Sequence, residues 1–161
     1  MDSLLKKLNC FYEKLDLYLQ SSKKDCGVCG ECCKVTSVLR VYPLEMENIG
    51  RRINNRVKMK RFRDFTGNDL IDIWGGTSGH CPFQEGDLCG IYAFRPYQCR
   101  VYGHYDYKGR SLPVRCVYRG HAVRYDSREE LPLYDEFSNL TEGYDETVRE
   151  VAGLNKNPPS G

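Results

Sequence analysis

Asp25-Cys26-Gly27-Val28-Cys29-Gly30-Glu31-Cys32-Cys33 places four thiols within eight residues, and this stretch decides how the chain is built. Disulfides fit the spacing poorly: bridged cysteines need Cα atoms several ångströms apart and suitably directed Cβ bonds, which adjacent Cys32 and Cys33 rarely offer. Thiols gathered this tightly in a reduced chain read as metal ligands. Gly27 and Gly30 give the backbone the freedom to wrap around an ion. Adjacent side chains point in different directions, so Cys32 and Cys33 suit two different metals or two corners of one cluster.

Four more cysteines follow at Cys81, Cys89, Cys99 and Cys116, which makes eight in all: enough for two four-coordinate sites or two cubane clusters. In Cys26-x2-Cys29-x2-Cys32, one tight loop presents three thiolates, as a [4Fe–4S] cube requires, and a remote Cys followed by Pro often completes such a site. Cys81-Pro82 is the candidate for that fourth ligand. A structural zinc site instead pairs a two-Cys knuckle with two distant ligands. Cys26-x2-Cys29 with Cys89 and Cys99 would serve, so zinc is the alternative metal. The expected partition gives Cys26, Cys29, Cys32 and Cys81 to one centre, while Cys33, Cys89, Cys99 and Cys116 complete it or hold a second. The competing role for Cys89, Cys99 or Cys116 is that of a small buried hydrophobe.

Arg95 and Arg100 flank Cys99 in Arg-Pro-Tyr-Gln-Cys-Arg. They are expected to bind the cofactor through charge, because a cluster held by thiolates is anionic and a nearby guanidinium offsets that charge. The plainer alternative is surface pairing with the acidic segment from His121 to Glu150. Pro96 fixes the turn before Cys99, and Tyr92, Tyr97 and Tyr102 are read as packing around it. His80 could replace a thiolate, but the cysteine count is already complete. His104 and His121 have no partner in sequence.

Nine cysteines in 161 residues would suggest a disulfide framework in a secreted protein. Asp2, Lys6, Lys7, Glu13, Lys14 and Asp16 interrupt the N-terminal segment, which therefore lacks the apolar run of a signal peptide. No stretch matches a membrane span. The expected location is cytoplasmic, where thiols stay reduced. The net charge of +2 names no partner.

The expected organisation is one domain over residues 1–154, with a metal core at 26–116 and a disordered tail at 155–161. Leu4, Leu8, Phe11, Leu15 and Leu19 recur at helical intervals and predict an amphipathic helix over 3–20. Cys10 falls about 140° from the centre of that stripe and is left out of the metal site. Residues 35–42 read as a strand. Pro43 opens a second helix whose apolar stripe is Leu44, Ile49, Ile53 and Val57. A further strand or helical turn is expected over Asp69 to Trp74, and two hairpins at Glu85-Gly86-Asp87 and Lys108-Gly109. A weak helical pattern follows Ser138. The fold class is α+β: a small domain with an N-terminal helix and an irregular, metal-organised core.

Arg51, Arg52, Arg56, Lys58, Lys60, Arg61 and Arg63 form a run with no acidic residue. A charge run of this kind is more often a solvated face, though beside a metal site it could meet an anionic partner such as RNA or an acidic protein segment. Only Phe62 and Phe65 are near enough to stack on bases, so nucleic acid over 51–63 is the weaker expectation. Signatures of dinucleotide, phosphate-loop, zinc-protease and serine-hydrolase sites are absent.

The motif DCGVCGECC, with HCPF, LCGIYAFRPYQCRVY and a later Cys, resembles the YkgJ-type cysteine-cluster family, zinc- or iron-chelating proteins named for the CxxCxxCC pattern. The resemblance spans about residues 26–116. It implies that the motif cysteines Cys26, Cys29, Cys32, Cys33, Cys81, Cys89 and Cys99 are ligands, with Cys116 beside them. An iron–sulfur cluster would serve redox chemistry or electron transfer, and zinc would make the chain a structural interaction module; flagellin lysine N-methylases are similar in cysteine pattern, which adds a protein methylase-like reaction. It names no substrate.

Overall fold

The computed structural model describes residues 2–20, 30–34, 40–67 and 81–151. Helix α1 spans Asp2–Leu19 and buries Leu5, Leu8, Phe11, Tyr12, Leu15 and Leu19. The buried arc is thus displaced slightly from the expected stripe: Leu5 and Tyr12 join it, and Leu4 is only partly buried. Cys10 lies on the exposed side, as the helical period predicts.

Helix α2 covers Pro43–Arg52, with Pro43 at its first turn. It stops where Ile53 turns extended (φ −104°, ψ 105°). Asn55 Oδ1 then accepts from the Lys58 N–H at 2.9 Å and helps start helix α3, Arg56–Gly67. The expected second helix is therefore divided in two, with Asn55 capping the second part. Val57, assigned to its apolar stripe, is instead 64% exposed on α3, because the new helix presents Met59 and Phe62 inward.

The first hairpin forms as expected, with β1 (Gln84–Glu85) antiparallel to β2 (Leu88–Cys89). Next come helix α4 (Tyr97–Val101) and strand β3 (Tyr105–Tyr107). The second expected hairpin does not form. Lys108 and Gly109 do make the turn, with φ of 52° and 69°, but β3 pairs in parallel with β4, Val123–Tyr125. Parallel pairing needs a long crossover, and the crossover here carries Cys116. Helix α5, Tyr134–Val151, begins before the weak periodicity after Ser138.

Helix α5 packs on α1 and α2, and α4 packs on α1. At the centre, Tyr97 stacks on Phe137 with ring centroids 4.4 Å apart and planes 11° apart, and Phe11 stacks on the same Phe137 at 5.6 Å. A second core joins Ile49, Met59, Phe62, Phe83 and Ile91. A third, smaller one gathers Tyr102, Leu112 and Cys116.

The architecture is α+β. The expected strand over 35–42 is not seen at 40–42, where the chain leads in extended form to the α2 N-cap Tyr42. Residues 35–39, Asp69 to Trp74 and the 155–161 tail lie outside the described residues. Among those described, no helix is long and apolar enough to cross a membrane.

Candidate metal centre

Gly30 to Lys34 closes the four-thiol run in a short 3-10 helix, Glu31–Lys34. The Cys33 N–H bonds to the Gly30 carbonyl at 3.2 Å, and the Cys81 N–H donates to the Cys33 carbonyl at 2.8 Å. The second bond joins two thiol-bearing segments 48 residues apart in sequence (81 − 33). Gln84 reinforces it, its Nε2 lying 3.3 Å from the Gly30 carbonyl while its own N–H bonds to the Cys81 carbonyl at 2.9 Å.

Gly30 is required here. Its φ is +58°, and a Cβ would stand 2.9 Å from Gln84 Nε2 and 3.0 Å from Asp87 Oδ1. The end of the thiol run thus packs directly on the β1–β2 hairpin, where Cys89 pairs with Gln84. Cys81 and Cys89 are half-buried against the Ile49 and Phe83 core.

Cys99 and Cys116 meet on another side, around Tyr102 and Leu112. Cys116 is held there by a loop organised on Asp106. The Asp106 carboxylate accepts from Ser111 N at 2.6 Å, Ser111 Oγ at 2.8 Å and Leu112 N at 3.2 Å. Tyr102 adds a bond from its hydroxyl to the Ser111 carbonyl at 2.7 Å.

Cys99 sits on α4, and α4 is fixed by buried charge. Glu45 is fully buried. Its Oε1 accepts from the Tyr12 hydroxyl at 2.8 Å and the Tyr97 N–H at 2.6 Å, and its Oε2 accepts from the Tyr42 N–H at 3.0 Å. Burial pushes this carboxyl up to about 7, against the opposing pull of the Tyr42 and Tyr97 amides, the Tyr12 hydroxyl and Arg100. The same burial, with Glu45 beside it, holds the Tyr12 phenol well above its ordinary value.

Arg100 is also buried. It donates to the Asp16 carboxylate, to the Ala93 carbonyl at 2.8 Å and to the Arg95 carbonyl at 2.9 Å, and its guanidinium lies 4.1 Å from the Tyr12 ring centroid. The pairing is therefore with α1 and not with the acidic segment at 121–150, and it joins a buried guanidinium to a partly exposed carboxylate. Arg95 stacks on the Tyr92 ring at 3.7 Å and lies 3.9 Å from Asp16. Tyr97 and Tyr102 pack as expected, whereas Tyr92 is 43% exposed beneath Arg95.

Cys33, Cys81, Cys89, Cys99 and Cys116 are thiols rather than disulfides, and all but Cys116 are partly exposed. Among the described residues, no three Cys, His, Asp or Glu side chains converge tightly enough to hold a metal. A centre built on Cys33 and Cys81 must therefore draw ligands from outside them. Cys26, Cys29, the Cys32 side chain and His80 all lie there. His104 is buried and His121 exposed. A soft, partly exposed thiol set meeting the end of a CxxCxxCC run fits zinc or iron–sulfur chemistry.

Sequence reasoning missed Glu45, Tyr12, Asp16 and Asp106. A signal existed for Glu45 alone: two residues after a helix-opening Pro, a Glu stands where its side chain can reach back to the N-cap amide.

The thiol-bearing segments of Cys33, Cys81 and Cys89 thus lie side by side. A family model named CxxCxxCC, described as a "putative zinc- or iron-chelating domain", matches residues 25–129, more than half of the chain. The chain belongs to that family. No curated protein and no solved structure matches it.

Proposed function

We propose that this domain holds an iron–sulfur cluster of the [4Fe–4S] type on Cys26, Cys29, Cys32 and Cys81, and serves electron transfer or redox chemistry in a reducing, cytoplasmic setting. Cys33, Cys89, Cys99 and Cys116 complete that centre or hold a second. The observation that carries the reading is the 2.8 Å bond from the Cys81 N–H to the Cys33 carbonyl, which lays Cys81-Pro82 against the end of the thiol run. A cysteine followed by proline, beside three thiols at two-residue intervals, is the ligand pattern of such clusters.

When bound, the cluster would supply a one-electron couple. The chain's contribution is to hold the thiols and set the charge around them. Arg100, already neutralised by Asp16, acts as a positioning residue for the α4 segment that bears Cys99. Arg95 is the closer fit to the role of offsetting thiolate charge, since its Asp16 contact is long at 3.9 Å.

The test is the visible spectrum of protein purified without oxygen. A brown solution with broad absorption that bleaches on adding dithionite supports the cluster. A colourless solution containing zinc would overturn it in favour of a structural zinc module, the other metal that the family description allows.

A further inference from the structure

Most of the basic run over 51–63 separates into two groups. Arg51 is bound to Asp2 at 2.5 Å and Glu47 at 2.7 Å, Arg52 to Asn9 at 2.8 Å, and Lys58 to Glu85 at 3.2 Å. Arg56, Lys60, Arg61 and Arg63 are exposed on α3, and among the described residues none of them has an acidic partner. Helical spacing places Lys60 and Arg61 on the face opposite Met59 and Phe62, with Arg56 at its edge, around the exposed Val57 and a single acid, Asp64; Arg63 lies nearer the buried side.

The charges on α3 also oppose its dipole. Its first turn contains no acidic residue and its last no basic one, while Arg56 and Lys58 stand at the N-terminal end and Asp64 near the C-terminal end. Helix stability favours the reverse order. A helix charged against its own dipole, whose outward cations form no ion pair among the described residues, has not been arranged for stability alone.

We infer that the exposed face of α3 is a docking surface for an acidic protein segment. Val57 supplies the apolar centre, and Arg56, Lys60 and Arg61 supply a basic rim, the usual layout of a protein interface. A single-stranded nucleic acid would need aromatic rings to stack on. Phe62 is buried, and Phe65 packs against the same core. The inner face of α3 packs on the core against which Cys81 and Cys89 lie, so α3 itself separates a partner seated outside from those thiols. The docking surface does not depend on which metal they carry.

Fluorescence anisotropy on the full chain tests the inference, with a labelled Glu- and Leu-rich peptide and labelled polyuridine as probes. The peptide is expected to bind, with affinity falling about tenfold in the triple variant Arg56→Gln/Lys60→Gln/Arg61→Gln and falling also in Val57→Ser. The charge-matched control Lys6→Gln/Lys7→Gln/Lys14→Gln on α1 is expected to bind as the parent does. Equal loss in the control would show general charge attraction and overturn the assignment, as would tighter binding of polyuridine than of the peptide, or no peptide binding at all. Thermal melting of the α3 variants, expected to match or exceed the parent, excludes unfolding as the cause.

Discussion

Glu45 Oε1 accepts the Tyr97 N–H at 2.6 Å across 52 residues of sequence. That bond fixes the first residue of α4 to the first turn of α2, and Cys99 follows two positions later. With the Tyr12 hydroxyl on the same oxygen, one carboxylate unites α1, α2 and the thiol-bearing segment.

Glu45 should make stability pH-dependent. Its folded pKa of about 7 lies above the ordinary 4.5, so the native state holds the proton more tightly than the unfolded chain does. The resulting contribution is fully present below about pH 4.5 and is lost as pH rises through about 7, a fall of roughly 3 kcal/mol. Urea unfolding at intervals between those limits should show the decline, and Glu45→Gln should flatten it. An equal slope in the variant would assign the titration elsewhere.

Gly30→Ala should loosen the end of the thiol run. The φ of +58° disfavours any side chain, and the new methyl would press on Gln84 and Asp87. The cost is on the order of 1–2 kcal/mol, and the hairpin must shift to admit the Cβ. Metal retained per chain after dialysis against chelator should fall. Unchanged melting and unchanged retention would contradict the packing of Gly30 on the hairpin.

Arg100→Lys is not conservative at this site. One ammonium cannot serve Asp16, Ala93 O and Arg95 O together as the planar guanidinium does. A loss of about 2–3 kcal/mol is expected in denaturant unfolding, moderated because Asp16 is partly exposed. Asp16→Asn should cost less, since it keeps an acceptor for the guanidinium. The order of the two variants is the test.

Much of this was legible where the information is local. The heptad-like spacing of α1 gave the helix and the outward direction of Cys10, Pro43 marked a helix start, and Glu85-Gly86-Asp87 marked a true hairpin. Long-range pairings were not legible, because they have no period. Nothing near Arg100 in sequence points to Asp16, and nothing near Lys108-Gly109 says that β3 will pair in parallel with a strand beyond Cys116. The turn chemistry there was read correctly, but the Asp106 side chain bonds to Ser111 and Leu112 and diverts the chain from a hairpin. Of the site, the sequence named the thiols and the fold brought Cys33 to Cys81. The buried acid and arginine that hold Cys99 in place became visible only in the packed structure.

Cys10→Ser and Cys81→Ser differ sharply in what they should do. Cys10 is exposed on α1, so its substitution should leave metal content and melting unchanged. Cys81→Ser should lose metal and stability together. Metal loss in the Cys10 variant would show that the exposed face of α1 takes part in binding.

The most direct measurement is iron, labile sulfide and zinc per chain, on full-length protein purified without oxygen. The cluster assignment predicts about four irons and about four sulfides for each filled centre, with little zinc. One or two zinc ions per chain without sulfide would contradict it, and a chain that retains no metal would contradict the thiolate site itself.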